Sequence, residues 1–262
     1  MDLKLNNKRA LITGSTSGIG EAIAKTLAEE GVNVVIHGRR IAEADRVVDE
    51  IVKAGGEAAL AIGDLATDEG ADQVAAAALK AFGGIDILVN NAGAYPSKGW
   101  FNESADDWND VYNTNVASMV RMINRLVPLM QERKWGRVIA IASGVGTKPQ
   151  AGMPAYCATK VANINLAVSL AMALSDSGVT SNAVSPGVIL TQGLDDMFDK
   201  MGIEHNAEVR AKMAAEFAPN PMGRSGFPLE IADAVVFLAS GRADYITGQN
   251  LRVDGGYVPT VN

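Results

Sequence analysis

Short apolar segments alternate with longer, alanine-rich segments along most of this chain. The short segments are rich in β-branched residues and predict strands at 9–13, 33–37, 58–62, 85–90, 137–142, 180–185 and 250–253. The longer segments carry apolar residues at helical spacing and predict helices at 19–29, 42–53, 68–82, 107–131 and 155–174. Wholly apolar strands separated by helices are typical of a parallel sheet that is covered on both faces. The pattern therefore predicts an α/β protein with a doubly wound parallel sheet.

One stretch interrupts this alternation. In residues 190–222 the strand-like runs vanish, and apolar residues such as Met197, Phe198 and Met201 stand among charged ones, which predicts a small inserted helical flap. Elsewhere the alternation runs to the last strand without a linker, a low-complexity tract or a short-period repeat. We therefore expect residues 1–262 to form a single-domain Rossmann fold with helices on both faces of the sheet and the flap at about 190–222.

The composition favours a substantial core and argues against several function classes. Of the 262 residues 48% are hydrophobic and 20% are charged, and no apolar run approaches the roughly 20 residues that span a bilayer. The formal net charge of −7 opposes binding to nucleic acid, whose phosphates are neutralised by Lys and Arg. Cys157 is the single cysteine, which excludes an internal disulfide, and two histidines leave little material for a metal site. The N-terminus leads straight into a strand and shows no export signal. Together with the single cysteine and the two histidines, this predicts a cytoplasmic protein that binds neither membrane nor metal.

The turn between the first strand and the first helix carries three glycines in a G-x-x-x-G-x-G spacing. Glycines at this place let the backbone turn tightly and approach a pyrophosphate, which then lies on the free N–H groups of the helix. The cluster also has a plainer interpretation as a tight turn. With its strand and helix context it predicts a dinucleotide site formed by Gly14, Ser15, Ser17, Gly18, Ile19 and Gly20.

The end of the second strand indicates which dinucleotide is preferred. An NAD site typically places Asp or Glu there, whereas NADP requires a cation for its 2′-phosphate. Here the strand runs into Gly38, Arg39 and Arg40, without a carboxylate. We expect Arg39 to bind the phosphate with its planar fork and Ser15 to assist, so that NADP(H) is preferred and NAD(H) is possible. The alternative is that two surface arginines simply solvate a loop.

Polar residues also follow the third and fourth strands. Asp64 and Leu65 follow the third strand, and Asn91, Ala92 and Gly93 follow the fourth. Because the carboxyl ends of parallel strands are where open α/β sheets bind ligands, these five residues are predicted to contact the cofactor. As isolated residues they would equally suit turns.

Tyr156 and Lys160 stand four residues apart and therefore share one face of a helix. A tyrosine with a nearby ammonium, and next to an oxidised nicotinamide, can act as a general acid or base towards a carbonyl or alcohol. Ser143 follows a strand-like run whose carboxyl end should open on the same crevice, so its hydroxyl can orient a carbonyl. Alone, the Tyr–Lys pair would more often be a surface pair and Ser143 a loop hydroxyl.

Together these motifs closely resemble the short-chain dehydrogenase/reductase family over nearly the whole chain. The resemblance rests on the order and spacing of a TGxxxGIG turn at 13–20 and a YxxxK pair at 156–160, with further matches at Asp64, 90–93, Asn115, Ser143, 186–187 and 247–256. The joint match is far more specific than any one motif. Within the family, the chain is similar to 3-oxoacyl-carrier-protein reductases.

The resemblance implies roles that the pattern alone does not assign. Asn115 is expected to complete a catalytic tetrad with Ser143, Tyr156 and Lys160 by holding a water in a proton relay. Tyr156 and Lys160 are also expected to contact the cofactor, Lys160 through the ribose hydroxyls of the nicotinamide half. The segment expected to seat the carboxamide comprises Pro186, Gly187, Val188 and Thr191. Pocket-wall candidates near these motifs are Tyr95, Trp100, Gly144 and Met153.

The resemblance also implies that the flap closes over a small-molecule substrate and that the chain forms a homotetramer or a homodimer through the helices at 107–131 and 155–174 and the last strand. We expect an NADP(H)-dependent oxidoreductase that acts on a carbonyl or alcohol, with a 3-oxoacyl thioester as one candidate substrate and Tyr156 as general acid or base. The alternatives are an NAD-dependent alcohol dehydrogenase of the same family and a non-catalytic dinucleotide sensor.

Overall fold

Seven strands form one parallel sheet within residues 2–260, the part of the chain that the computed structural model describes. They are β1 (Arg9–Ile12), β2 (Asn33–Gly38), β3 (Ala58–Ile62), β4 (Ile87–Asn90), β5 (Gly136–Ile141), β6 (Val179–Pro186) and β7 (Asn250–Val253). The order across the sheet is β3-β2-β1-β4-β5-β6-β7, and every neighbouring pair is parallel. The order reverses between β1 and β4. The carboxyl ends of these two strands therefore flank the crevice in which open α/β sheets bind ligands.

The helices of the described residues are α1 (Gly18–Glu29), α2 (Ile41–Lys53), α3 (Asp68–Phe82), α4 (Ala105–Tyr112), α5 (Ser118–Glu132), α6 (Pro154–Ala173), α7 (Gln192–Lys200), α8 (Ala207–Phe217) and α9 (Pro228–Ala239). α1, α2 and α9 cover one face of the sheet, and α3, α5 and α6 cover the other. Successive residues of β1 serve both faces, since Ile12 packs with the first set of helices and Leu11 with the second. This double cover explains why the strands are apolar throughout.

The ends of α3 show how the sequence sets an element locally. The Thr67 hydroxyl accepts the N–H of Gly70 at the first turn, which satisfies one of the free helix donors. At the other end Gly83 has a φ of 74°, the left-handed conformation that commonly ends helices. The sequence prediction of a helix at 68–82 is therefore confirmed at both ends.

The predicted fold class is confirmed, with two differences in the helices. The helix predicted at 107–131 is divided, because a wide π turn at Asn113–Ala117 separates α4 from α5. Helix α9 was missing from the prediction, because it is apolar nearly all round and packs against both α1 and the sheet, so its apolar residues show no clear helical period. The flap stretch is helical as predicted, with α7 and α8 packed around Phe198.

Two further observations concern sites that the composition disfavoured. No helix within residues 2–260 combines the length and the apolar character needed to cross a membrane. In the same residues no group of three or more His, Cys, Asp and Glu side chains is arranged to hold a metal ion.

Candidate active site and dinucleotide site

The glycine turn after β1 adopts backbone conformations that require glycine. Gly14 and Gly18 have φ angles of 64° and 57°, in the left-handed region. A Cβ on Gly20 would lie 2.3 Å from the carbonyl oxygen of Gly14 and 2.5 Å from Nδ2 of Asn91. The start of α1 therefore packs directly on the glycine turn and leaves no room for a side chain at Gly20.

The first turn of α1 presents free donors beside this turn. Ser17 precedes the helix, is exposed, and makes no side-chain cap to it. Ile19 is partly buried and packs against the core, so its side chain does not cover the helix end. Uncapped N–H groups at the positive end of a helix form an anion site, which suits the pyrophosphate of a dinucleotide.

Asn91 and Ala92 hold the glycine turn from the neighbouring strand end. Asn91 Nδ2 donates to the carbonyl oxygens of Thr13 and Gly14, each at 2.9 Å. The backbone N–H groups of Asn91 and Ala92 both donate to the Thr13 hydroxyl at 3.0 Å. These two residues therefore fix the position of the turn through hydrogen bonds across the crevice between β1 and β4.

The structure contradicts one expectation at this turn. Ser15 is fully buried, and its hydroxyl donates to the Ile12 carbonyl at 2.7 Å and accepts the N–H of His37 at 2.9 Å. The hydroxyl satisfies backbone groups that the sharp turn would otherwise leave unpaired. The prediction that the Ser15 hydroxyl assists Arg39 in binding a 2′-phosphate is therefore wrong.

Arg39 directly follows β2, next to the glycine turn. A Cβ on Gly38 would lie 2.5 Å from the Thr16 methyl, which places the end of β2 against the glycine turn. Arg39 is exposed and makes no ion pair with a carboxylate of the described residues. Arg40, by contrast, is paired with Glu43 through an Nε–Oε1 distance of 2.8 Å. Of the two arginines, only Arg39 has no carboxylate partner among residues 2–260.

Asp64 and Leu65 occupy the end of β3. Asp64 is exposed, and its Oδ1 accepts the N–H of Ala66 at 3.0 Å, so its side chain stabilises a turn. The Leu65 side chain is buried in the core, and its carbonyl accepts from Arg121 Nη1 at 3.1 Å. A cofactor can meet Leu65 only through its backbone.

The segment predicted to seat the nicotinamide begins at the last residue of β6 and comprises Pro186, Gly187, Val188 and Thr191. Gly187 is packed so closely on Asp254 that a Cβ would lie 2.9 Å from the Asp254 Cα. The Thr191 methyl lies 3.5 Å from the position that a Cβ would take on Gly18. This segment therefore faces the glycine turn across the crevice, as a cofactor held from both sides requires.

Ser143 and Tyr156 meet beside the carboxyl end of β5. Ser143 follows this strand, and Tyr156 lies in the first turn of α6. Burial raises the pKa of Tyr156 to about 12, and a hydrogen bond with Ser143 opposes that rise. The two hydroxyls are therefore close enough to bind one oxygen atom together.

Lys160 lies one helical turn after Tyr156 and is buried. Its ammonium donates to the Ile141 carbonyl at 2.9 Å and lies 5.4 Å from the centre of the Tyr156 ring. Burial lowers the pKa of Lys160 to about 8. The ammonium is thus directed to a backbone carbonyl, and burial rather than Lys160 sets the direction of the Tyr156 pKa shift.

Asn115 lies in the wide π turn between α4 and α5 and is buried. Its Oδ1 accepts the Ala94 N–H at 2.7 Å, and its Nδ2 donates to the Ala94 carbonyl at 2.8 Å and to the Thr159 hydroxyl at 3.1 Å. A Cβ on Gly93 would lie 3.2 Å from Asn115 Oδ1 and 3.7 Å from Lys160 Nζ. The small size of Gly93 thus lets Asn115 and Lys160 approach each other.

One group of residues at the site was not found from the sequence. Tyr257 is buried against the Ser143 loop, where its ring lies 3.3 Å from the Cβ position of Gly144. Gln150 Nε2 donates to the Tyr257 hydroxyl at 3.0 Å, and Lys148 Nζ donates to its carbonyl at 3.1 Å. The only sequence signal was an aromatic residue after the Asp254-Gly255-Gly256 turn, more than 100 positions from Ser143.

The candidate residues for the pocket wall differ in whether they contact the predicted catalytic residues. The Tyr95 ring stands edge-on to that of Tyr156, with 6.2 Å between centroids, and is 69% exposed. Trp100 instead packs against Trp108, with 5.7 Å between ring centroids. Met153 precedes α6 and is partly buried. Of these three, Tyr95 is the one whose ring meets a member of the predicted tetrad.

Known proteins that resemble this chain do so over nearly its full length. The family model described as enoyl-(acyl carrier protein) reductase matches residues 14–258. The uncharacterized oxidoreductase YvaG of Bacillus subtilis is 40% identical and is aligned over 100% of both chains. The 3-oxoacyl-(acyl-carrier-protein) reductase FabG of Vibrio cholerae is 37% identical over 97% of this chain and 98% of its own. The crystal structure of L-sorbose reductase from Gluconobacter frateurii, complexed with NADPH and L-sorbose, has a TM-score of 0.93 at 32% identity and full coverage of both chains.

These similarities extend from the glycine turn to the segment after β7, so they include every motif on which the sequence resemblance rested. The predicted family is confirmed. The chain belongs to the short-chain dehydrogenase/reductase family of NAD(P)-dependent oxidoreductases.

Proposed function

We propose that this protein transfers a hydride between NADP(H) and a carbonyl or alcohol substrate, with Tyr156 as the general acid or base. The observation that carries the proposal is the position of Tyr156 beside Ser143, whose hydroxyl opposes the rise in the pKa of the phenol, while Lys160 and Asn115 lie close together near Gly93. Two hydroxyls directed at one position can bind a carbonyl oxygen, and one of them can exchange a proton with it.

When a carbonyl is reduced, each of the four residues has a separate role. Ser143 orients the carbonyl oxygen, and Tyr156 gives its proton to that oxygen as the carbon accepts a hydride. When bound, the cofactor supplies the hydride, and in its oxidised form the positive charge that the buried phenolate needs. Lys160 holds the ribose hydroxyls, and with a pKa of about 8 it can also pass a proton towards Tyr156. Asn115 holds the water that completes this relay, a role that rests on the family resemblance.

The residues around the crevice fit a dinucleotide. Gly14, Gly18 and Gly20 let the backbone approach the pyrophosphate, and Ser17 and Ile19 leave the end of α1 free. The adenosine half would meet Arg39, Asp64, Leu65 and the backbone of Ser15, and the nicotinamide half would meet Gly93 with the segment from Pro186 to Thr191. The exposed Arg39 supports NADP(H), as does the NADPH in the sorbose reductase crystal structure.

Two substrate classes suit a reductase of this kind, a 3-oxoacyl thioester and a small hydroxylated ketone. The first is suggested by the name of the Vibrio cholerae relative and the second by the sorbose reductase. The amide of Gln150, the phenol of Tyr257 and the ammonium of Lys148 form a polar wall beside Ser143. We favour the hydroxylated ketone, because its hydroxyls can use these hydrogen-bonding groups.

The substitution Tyr156→Phe tests the proposed chemistry. The variant keeps the ring but has no proton to exchange, so kcat for carbonyl reduction should fall by at least about 100-fold. NADPH affinity, measured by fluorescence titration, should remain within a few-fold of wild type. Turnover of a panel of ketones, aldehydes and 3-oxoacyl thioesters should be followed with NADPH and with NADH.

The outcomes separate the alternatives. Retained turnover in Tyr156→Phe would contradict the proton-transfer role. Efficient wild-type turnover with NADH but not NADPH would favour an NAD-dependent alcohol dehydrogenase. Cofactor binding without turnover of any substrate in the panel would favour a dinucleotide sensor.

The remaining proposals concern the flap, the assembly and the location. We assign residues 190–222 as the flap over the substrate, because α7 begins beside Tyr95, whose hydroxyl lies 3.5 Å from the Cβ position of Gly193. A homotetramer or homodimer is supported by exposed valines on α5 and α6. A cytoplasmic location is supported by the single free thiol, Cys157, and cell fractionation that found the protein elsewhere would contradict it.

A further inference from the structure

His37 is a buried histidine at the carboxyl end of β2, next to the glycine turn, and it is 3% exposed. All four of its polar atoms are engaged. Its backbone N–H donates to the Ser15 hydroxyl and its carbonyl accepts the Ser15 N–H, both at 2.9 Å. In the ring, Nδ1 accepts the Gly14 N–H at 2.9 Å, and Nε2 lies 3.2 Å from the Gly63 carbonyl. The side chain therefore joins the glycine turn to the end of β3.

These contacts fix the protonation of the ring. Because Nδ1 accepts from a backbone N–H, the proton lies on Nε2, which donates it to the Gly63 carbonyl. The charged groups nearest the ring are Asp64, which favours protonation, and Arg39, which opposes it. Burial outweighs Asp64 and lowers the pKa of His37 to about 4, so the imidazole is neutral at pH 7. A second ring proton would face the Gly14 N–H, donor against donor.

Gly14 is thus held on two sides. His37 Nδ1 accepts the Gly14 N–H, and Asn91 Nδ2 donates to the Gly14 carbonyl oxygen at 2.9 Å. Since Gly14 has a left-handed φ of 64°, neither hydrogen bond belongs to a helix or a strand ladder, and without them the turn would be free to move. The Gly14 position in turn sets the space for Gly20, whose Cα has no room for a Cβ.

We propose that His37 is a positioning residue for dinucleotide binding: its neutral imidazole holds the glycine turn in the shape that accepts the cofactor pyrophosphate. The inference rests on the proposed function, because it assumes that this turn binds NADP(H). The proposal gives a role to a buried histidine that takes no part in the proposed proton transfer. Since the pyrophosphate is common to both dinucleotides, the effect of His37 should be the same for NADPH and NADH.

Three variants test the role of the ring. His37→Leu removes both side-chain hydrogen bonds, and we expect Kd values for NADPH and NADH, measured by calorimetric or fluorescence titration, to rise by about tenfold or more with little change in their ratio. His37→Asn can return an acceptor to the Gly14 N–H and should recover much of the affinity. His37→Gln reaches towards the Gly63 carbonyl instead and should recover less. Wild-type Kd values in His37→Leu, or better recovery with Gln than with Asn, would overturn the proposal.

Asn182→Leu is the matched control. Asn182 is also buried and also bridges two backbone groups, with Nδ2 donating to the Ile246 carbonyl at 2.8 Å and Oδ1 accepting the Gln249 N–H at 3.0 Å. The control should lower thermal stability but leave the cofactor Kd values unchanged. Equal rises in Kd for the control and His37→Leu would show a general loss of structure and contradict the proposal.

The result remains decisive if His37→Leu does not fold, because the comparison of Asn with Gln then carries the test. It also separates the two levels of inference. A wild-type protein that binds neither dinucleotide would contradict the proposed function itself. A wild-type protein that binds NADPH, with His37 variants that bind it equally well, would contradict only the role of His37.

Discussion

Tyr156 and Lys160 acquire different electrostatic properties from the same buried site. Burial disfavours the charged form of each group, so it raises the pKa of the phenol to about 12 and lowers that of the ammonium to about 8. At pH 7 the chain alone therefore holds a neutral tyrosine beside a lysine that is still mostly protonated. This is the state required for reduction, in which Tyr156 gives up a proton.

Arg39 carries the cofactor preference at the scale of a single residue. Arg39→Ala should lower the ratio of NADPH to NADH efficiency, measured as kcat/KM, by about 10- to 100-fold, since a hydrogen bond to a charged phosphate contributes about 1.5–3 kcal/mol. Arg40→Ala is the matched control, because Arg40 is already paired with Glu43, and it should leave the ratio unchanged. An unaltered ratio in Arg39→Ala would remove the main support for NADP(H).

The π turn at Asn113–Ala117 is the element that places Asn115. The wider turn falls where a regular helix would have continued from α4 into α5. π turns inside helices frequently occur at functional sites. Here the turn lies beside Gly93, where Asn115 can hold the Ala94 backbone and still lie next to Lys160. The helix was predictable from the sequence, but the position of its irregular turn was not.

Gly20→Ala tests the packing between the glycine turn and α1. Alanine normally favours a helix over glycine by about 1 kcal/mol, so a purely local effect would stabilise the variant. The new Cβ would instead lie 2.3 Å from the Gly14 carbonyl oxygen. We therefore expect the free energy of unfolding in urea to fall by about 1–3 kcal/mol, with weaker NADPH binding.

Gly152→Ala is the control for this prediction. Apart from Gly152 and its two chain neighbours, no heavy atom of residues 2–260 lies within 4 Å of the Cβ position at Gly152, so the methyl group enters open space. Its unfolding free energy should remain within about 0.5 kcal/mol of wild type. A Gly20→Ala variant as stable as wild type would show that the turn can relax and does not need glycine there.

At the scale of the whole molecule, the exposed apolar side chains of α5 and α6 predict assembly. Val120 on α5 and Val161, Val168 and Met172 on α6 are all at least 36% exposed. Exposed apolar groups on neighbouring elements are typical of an interface. We expect light scattering to give the mass of a tetramer or dimer, and Val161→Glu with Val168→Glu to give smaller species.

Val52→Glu is the comparison for the assembly prediction, because Val52 is also exposed but lies on α2. It should keep the wild-type mass. A wild-type monomer, or an unchanged assembly in the double α6 variant, would contradict an interface through these helices.

Local sequence pattern was sufficient to predict the alternation of strands and helices, the glycine turn and the shared helix face of Tyr156 and Lys160. These features depend on local periodicity and on residues a few positions apart, so they can be predicted without knowing the contacts between distant segments. The long match of ordered motifs then identified the family. Even the ends of α3 followed from its own capping residues.

Which polar groups form hydrogen bonds inside the fold, and which stay free for a ligand, became clear only from the three-dimensional arrangement. In the fold the Ser15 hydroxyl is buried, the His37 ring accepts a hydrogen bond from the glycine turn, and Tyr257 packs against the Ser143 loop. Burial in the fold also sets the direction of the Tyr156 pKa shift. The physical reason is common to all of these cases: hydrogen-bond partners and desolvation depend on segments that are far apart in the chain and meet only when the sheet is assembled.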